Sequence, residues 1–161
     1  MNTNITRIER LMTLATGDEK HDSSSRSTLD VLWVLYDRVM HYDPENTRSE
    51  DRDRFVLSKG HGCVSFYAVL ADKGFFPPAT LKTFLKWDSM LGAHPDRHQV
   101  PGAEVSTGSL GHGFPMAVGI ALALRIKKNP RRVFVLIGDG ECNEGTIWET
   151  ALMSMCSIAL L

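Results

Sequence analysis

The segment of residues 131–149 constrains the fold of this chain more than any other. Its residues 133–137 form a continuous apolar run rich in β-branched side chains. Such a run is typical of a strand buried on both faces of a parallel sheet, and we expect a central strand. Gly138 and Gly140 permit a sharp turn and a close approach of the backbone to a ligand. Asp139 between them offers the hard anionic oxygen that Mg²⁺ or Ca²⁺ prefers. The segment therefore predicts a strand that ends in a ligand-binding turn.

A helix is predicted directly after this turn. Thr146 and Glu149 have the spacing of a capping box, and apolar residues recur behind them at helical intervals from Ile147 to Met155. Ligands of open α/β sheets bind outside the carboxyl ends of the strands, so Asp139 is well placed to hold a metal against a phosphate. The alternative from these residues alone is a tight turn with a capping Asp.

Composition narrows the classes of function. The 161 residues suit one domain, and 43% of them are hydrophobic, which is enough for a core. The formal net charge is −1 and no run of Lys or Arg exceeds two, so no footprint for nucleic acid or an anionic membrane is visible. Three cysteines without metal-like spacing favour free thiols in a reducing cytosol, and no apolar run reaches membrane-spanning length. We expect a cytoplasmic protein.

The plan of strand, glycine turn and helix is repeated earlier in the chain. A short apolar strand over residues 55–58 leads into Lys59-Gly-His-Gly62 and a helix over residues 63–73. Gly108-Ser-Leu-Gly-His-Gly113 precedes an apolar helix over residues 115–126. Three glycine-rich turns thus meet helix N-termini, where backbone N–H groups and the helix dipole attract anions.

The other predicted elements serve the core or the loops. A first helix runs from Asn4 to just before Gly17, and a second, mostly buried helix is capped by Ser27 and Asp30. A short helix over residues 77–86 is followed by a long loop over residues 87–107. Loops of this length inside a compact domain are often functional.

Histidines are concentrated in the predicted loops. His61 and His112 lie inside Gly-x-Gly turns, His94 precedes a proline, and His21 lies in a polar loop. A zinc site built from His94 and His98 is the competing interpretation, because a spacing of four suits one helix face. Pro95 argues against a helix at that point, and no cysteine lies nearby.

Four motifs, in this order and spacing, carry a resemblance to a known family. They are D-R-D-R-F-V-L-S-K-G-H-G at residues 51–62, A-H-P-D at 93–96, P-G-A-E at 101–104 with T-G-S-L-G-H-G at 107–113, and G-D-G-E-C-N-E-G at 138–145. Together they resemble the thiamine-diphosphate-binding N-terminal region of transketolase, particularly the separately encoded N-terminal subunits of split bacterial enzymes. The resemblance implies an α/β fold with a doubly wound, mainly parallel sheet flanked by helices. Residues 1–161 would form a partial thiamine-diphosphate-binding (PP-type) domain, incomplete at its C-terminus.

The resemblance also implies a cofactor site. Asp139 would ligate the Mg²⁺ that bridges the diphosphate, and His61 would contact the diphosphate itself. The remaining cofactor-binding positions are glycines and one leucine: Gly108, Leu110, Gly138 and Gly140. In such enzymes thiamine diphosphate performs the transfer of a two-carbon ketol unit between sugar phosphates, and the protein supplies orientation and hydrogen bonds.

Three further residues match catalytic positions of the family. His21 and His94 match substrate-side histidines, which are plausible donors to the ketose oxygens and to developing negative charge. Glu144 matches a carboxylate near the subunit interface, as does Glu149, for which a helix cap is an equally good explanation.

Departures from the family pattern leave alternatives open. The family's His-Pro-Gly is His21-Asp-Ser23 here, and His112 replaces a common Gln. The next strand of the family, with the Asn and carbonyl that complete the Mg²⁺ site, and the pyrimidine-binding domain with its catalytic Glu would fall beyond Leu161. We therefore expect an oligomer with a complementary C-terminal subunit, and no activity from this chain alone. The alternatives are an enzyme like 1-deoxyxylulose-5-phosphate synthase and a degenerate, non-catalytic subunit.

Overall fold

The computed structural model describes residues 3–17 and 22–159, and it is an α/β fold with a parallel sheet flanked by helices. The elements are, in order, α1 (Thr3–Met12), α2 (Asp22–Val34, continued by a π-helical turn Leu35–Val39), β1 (Arg54–Leu57), α3 (Cys63–Asp72), α4 (Gly113–Ile126), β2 (Val133–Leu136) and α5 (Gly145–Ala159). Short 3₁₀ turns occupy Gly60–Gly62, Pro78–Thr83 and Gly140–Asn143. No helix within the described ranges is long and apolar enough to cross a membrane.

The two strands pair in parallel, with Arg54 opposite Val133 and Leu57 opposite Leu136. The ladder continues past the end of β1, because the Lys59 N–H donates to the Leu136 carbonyl at 3.1 Å. The carboxyl ends of β1 and β2 therefore lie side by side. This arrangement is the predicted one, and it brings the turns that follow the two strands to the same edge of the sheet.

The main core lies between β1 and the first three helices. Helix α3 is buried from Cys63 through Ala71, as expected for a helix that is apolar on all sides. Phe55 and Leu57 of β1 join this cluster, while Val56, whose side chain points to the opposite face, is also buried. Helix α4 contacts both strands and α5.

The first helix forms but ends at Met12, several residues before Gly17, and the second begins earlier than predicted. Helix α2 starts at Asp22, so Ser27 and Asp30 lie inside it and do not cap it. The hydroxyls of Ser27 and Thr28 donate to carbonyls three residues back, at 2.9 and 2.8 Å. Because these side chains are satisfied within the helix, the serine-rich segment does not end it.

Three other local predictions are wrong. The short helix after Pro77 is a 3₁₀ turn that ends at Thr83, and Leu85 has a left-handed φ of 58°. The Thr146 hydroxyl donates to the Gly111 carbonyl at 3.0 Å, so it does not form a capping box. All four residues of β2 are only partly buried, since within the described residues β2 pairs with β1 alone.

Candidate cofactor site

Three glycine turns meet at the carboxyl ends of the strands. We call them turn one (residues 59–62), turn two (residues 108–113) and turn three (residues 138–140). A Cβ on Gly60 would lie 2.9 Å from Gly108 Cα, and one on Gly113 would lie 2.5 Å from Ser58 Cα. A Cβ on Gly138 would lie 3.2 Å from the Lys59 side chain. Gly60 and Gly113 are therefore required for the backbones to approach each other, whereas a side chain at Gly138 would only displace the flexible Lys59 side chain.

Two predicted site histidines lie against each other at this edge. The ring centroids of His61 and His94 are 5.2 Å apart, with an angle of 49° between the planes. Gly108 adopts a φ of +139°, and a Cβ there would lie 2.8 Å from the His94 ring. The long loop after α3 thus brings His94 to turns one and two.

Helix α3 holds the loop that carries His94. The Cys63 thiol donates to the Ala93 carbonyl at 3.1 Å, and the Tyr67 hydroxyl donates to the Gly92 carbonyl at 3.0 Å. Burial raises the pKa of the Cys63 thiol to about 12, so this group stays protonated at neutral pH and remains a donor. Two hydrogen bonds from a buried helix therefore anchor the backbone directly before His94.

Asp139 is exposed at the start of the 3₁₀ turn and makes no side-chain capping bond there. This observation removes the alternative of a capping aspartate. A Cβ on Gly140 would meet nothing within 4 Å, so the space beside Asp139 is open. Leu110 of turn two is also exposed, at 43%.

The donor set suits a magnesium diphosphate better than a metal held by protein alone. Within the described part of the chain, no group of three or more His, Cys, Asp or Glu residues could hold a metal ion. Mg²⁺ commonly uses one or two carboxylates together with phosphate oxygens and water, which a single exposed Asp139 can satisfy. The hydroxyl oxygens of Ser24 on α2 and of Thr107, directly before turn two, are buried without a hydrogen-bond partner among the described residues. Buried hydroxyls of this kind are groups that a polar ligand or an ordered water would satisfy.

The other predicted site residues lie in different positions. His21 falls outside the described residues. Glu144 is exposed, and a Cβ on Gly111 would lie 2.9 Å from its Cβ, so it borders turn two. The exposed His112 ring contacts the Leu110 carbonyl at 2.9 Å through Nδ1. Glu149 is exposed on α5.

Glu141 is the residue that the sequence predictions missed. Its side chain is buried, at 1% exposure, and it accepts hydrogen bonds from the Ser58 hydroxyl and from the N–H groups of Gly111 and Gly138. The only signal for it in the sequence is its position directly after Gly138-Asp-Gly140. Glutamate is rarely fully buried, so a glutamate in such a turn is expected to be exposed to solvent.

A separate cavity of about 750 Å³ lies at the opposite end of β1. Arg52 and Arg54 line it, and both form ion pairs with Glu104. Since the predicted site residues converge at the glycine turns instead, this cavity does not belong to the candidate site.

Comparison with known proteins decides the family. Residues 2–159 match the family described as transketolase, thiamine diphosphate binding domain. The chain belongs to the transketolase family. This confirms the resemblance that the four motifs carried. The transketolase of Leishmania mexicana has the same fold over this region, with a TM-score of 0.76 and 31% identity over 93% of this chain and 25% of that one.

Two curated relatives cover most of this chain. The protein named ferredoxin fas2 of Rhodococcoides fascians is 56% identical over 140 residues, which are 86% of this chain and 46% of the relative. One subunit of the apulose-4-phosphate transketolase of Actinobacillus succinogenes is 43% identical over 82% of this chain and 48% of the relative. The chain thus spans about half the length of these relatives.

Proposed function

We propose that residues 1–161 form part of the thiamine-diphosphate-binding (PP-type) domain of a transketolase N-terminal subunit. Its reaction would be the Mg²⁺-dependent transfer of a two-carbon ketol unit between sugar phosphates. The observation that carries this proposal is the convergence of the three glycine turns around the open space beside Asp139. Cys63 and Cys142 are free cysteines, which are typical of the reducing cytoplasm, and this supports the proposal of a cytoplasmic location.

The glycine turns would provide the groups that the cofactor needs. Asp139 would hold Mg²⁺, while Gly138 and Gly140 let the backbone approach the diphosphate. His61 would donate to the diphosphate, and Gly108 with the exposed Leu110 would lie against the cofactor's rings. The chemistry supplied by bound thiamine diphosphate is the stabilisation of a carbanion on the two-carbon unit.

His94 is the best-placed substrate residue in the described chain. Its ring is held between His61 and Gly108, and its backbone is anchored by α3. A preorganised imidazole can donate to the ketose oxygens without reorienting during the reaction. Such preorganised donors are the main source of electrostatic catalysis. His21 is proposed as a second substrate-side histidine, and Glu144 for the contact with the partner subunit.

Two helices carry exposed apolar side chains that the remaining part of the family's fold and the proposed complementary C-terminal, pyrimidine-binding subunit would cover. On α5, Trp148, Leu152 and Met155 share one face and are 63, 66 and 70% exposed. On α4, Met116 and Ile126 are also exposed. Apolar faces of this kind mark protein interfaces. The relative from Actinobacillus succinogenes is named as one subunit of its transketolase, which is consistent with a two-chain enzyme.

The proposal is tested by titrating thiamine diphosphate into the protein with and without Mg²⁺, followed by assay with a transketolase C-terminal subunit. We expect binding that requires Mg²⁺ and ketol transfer only in the mixture. Thiamine monophosphate is the matched control, because it lacks the second phosphate of the cofactor. Absence of Mg²⁺-dependent binding in the mixture would contradict the proposal, and turnover of pyruvate instead of ketose phosphates would favour the synthase alternative.

A further inference from the structure

We infer that Glu141 is a positioning residue that holds the three glycine turns in the arrangement that binds the cofactor. The effect on cofactor binding rests on the proposed function. The hydrogen bonds of Glu141 do not depend on that function. Glu141 follows turn three, and its carboxylate reaches from there to turn two and to the end of β1.

The hydrogen bonds of this carboxylate join three separate segments. Oε1 accepts from the Ser58 hydroxyl and from the Gly111 N–H, at 2.9 Å for the latter. Oε2 accepts from the Gly138 N–H at 3.1 Å. An ionised carboxylate is an acceptor only and has room for about four hydrogen bonds, so three donors satisfy it well.

The environment shows why this carboxylate needs all three donors. Glu141 is 1% exposed, and among residues 3–17 and 22–159 it forms no ion pair with a Lys, Arg or His. A buried carboxylate with no ion-pair partner among these residues depends on the hydrogen bonds that surround it. Losing the carboxylate therefore leaves two backbone N–H groups buried without an acceptor, which is costly.

Each donor is itself a proposed cofactor contact or lies close to one in sequence. Gly138 precedes Asp139, and Gly111 follows Leu110. Ser58 lies at the end of β1, directly before turn one and His61. One side chain consequently sets the spacing between the proposed Mg²⁺ ligand, the proposed ring contact and the proposed diphosphate contact, without touching the cofactor itself.

Substitution by glutamine keeps the shape of the side chain, but it removes the negative charge and replaces one acceptor oxygen by a donor nitrogen. In Glu141→Gln the amide oxygen can still accept from Ser58 and Gly111. The amide nitrogen would then face the Gly138 N–H, and two donors cannot bond to each other. We expect turn three to loosen while turns one and two stay joined.

The control is another buried carboxylate, which lies at the other end of β1. Asp53, directly before β1, is 2% exposed and accepts from the His41 N–H and from both the backbone N–H and the guanidinium of Arg132. It lies at the opposite end of β1 from the glycine turns. Asp53→Asn should therefore lower stability without changing the turns.

The experiment measures thiamine diphosphate affinity at saturating Mg²⁺, and hydrogen exchange of the Gly138 and Gly111 amides, in the protein mixed with a C-terminal subunit. For Glu141→Gln we expect affinity about 10- to 100-fold weaker, the scale for residues that orient metal ligands. Exchange at Gly138 should become faster, whereas Asp53→Asn should change neither. If the glutamine variant is too unstable to assay, Ser58→Ala removes one donor and should produce a smaller change in the same direction.

Two results would overturn the inference. The first is that Glu141→Gln changes neither the affinity for thiamine diphosphate nor the hydrogen exchange of the Gly138 amide. The second is that Asp53→Asn loses as much affinity as Glu141→Gln, which would indicate a general effect of lower stability. If the unmodified protein binds no thiamine diphosphate, the proposed function fails. The exchange comparison in the unliganded protein then still decides whether Glu141 holds the turns.

Discussion

The rings of His61 and His94 lie 5.2 Å apart, although one follows β1 and the other belongs to the long loop after α3. Gly108 makes this possible, because a side chain there would occupy the position of the His94 ring. The pair therefore depends on turn two as well as on the two loops. Residues from three distant segments form one surface at the edge of the sheet.

Replacing His94 should impair turnover more than folding. In an active assembly with a C-terminal subunit, His94→Ala should lower kcat/KM by about 10²-fold or more, because a positioned donor to the substrate is lost. The melting temperature should change little. His98→Ala, an exposed histidine of the same loop, is the control and should leave both values unchanged. A large drop in melting temperature with near-normal turnover would make His94 a structural residue.

Removing the charge of Asp139 should weaken the cofactor site selectively. Asp139→Asn keeps the shape of the side chain, and we expect Mg²⁺-dependent affinity for thiamine diphosphate to fall by at least about 10- to 100-fold. Stability should be retained, because the carboxylate is exposed and makes no capping bond. Asp30→Asn, an exposed aspartate on α2, controls for the change in net charge. Equal affinities at limiting Mg²⁺ would return Asp139 to the role of a turn residue.

The exposed face of α5 should be required for association with the partner subunit. Leu152→Glu should weaken binding of a C-terminal subunit, measured by light scattering or titration calorimetry, because it places a charge in an apolar interface. The stability of the isolated chain should hardly change, since Leu152 is 66% exposed. Val31→Glu tests an exposed apolar position on α2 and should leave binding intact. Equal weakening by both substitutions would indicate a non-specific effect of the charge.

Asp53 should make the protein less stable in acid. Burial raises the pKa of this carboxyl, but hydrogen bonds from Arg132 and His41 outweigh that effect and hold it below the ordinary value of 3.8. The unfolded chain therefore takes up the proton first as the pH falls. The contribution of Asp53 is complete above the unfolded value and is lost as the pH falls through the lower, folded value.

Urea denaturation at several pH values below about 5 measures this dependence. The free energy of unfolding should fall less steeply with acid in Asp53→Asn than in the unmodified protein. Asp88→Asn, an exposed position, should keep the original slope. If the free energy of unfolding depends on pH equally in Asp53→Asn and in the unmodified protein, Asp53 does not cause the acid sensitivity.

Local patterns predicted much of this molecule from sequence. The glycine turns and helices α3 and α4 followed from turn chemistry and apolar periodicity, whereas the site role of His94 came only from the family resemblance. Predictions failed where long-range contacts decide the outcome. Thr146 has the right spacing for a cap, but its hydroxyl finds the Gly111 carbonyl. Glu141 looks like a surface residue until the sheet brings Ser58 and Gly111 to it.

The parallel pairing of β1 and β2 has a consequence during synthesis of the chain. Asp53 and Arg132 meet at the start of the ladder although they are 79 residues apart. At the usual rate of about 5 to 20 residues per second, β1 waits about 4 to 16 s on the ribosome before β2 is made. Helices α1, α2 and α3 can pack together earlier, because their contacts are closer in sequence. We therefore expect the glycine turns to come together last, with the apolar edge of β1 unpaired until then and open to chaperones or to another nascent chain.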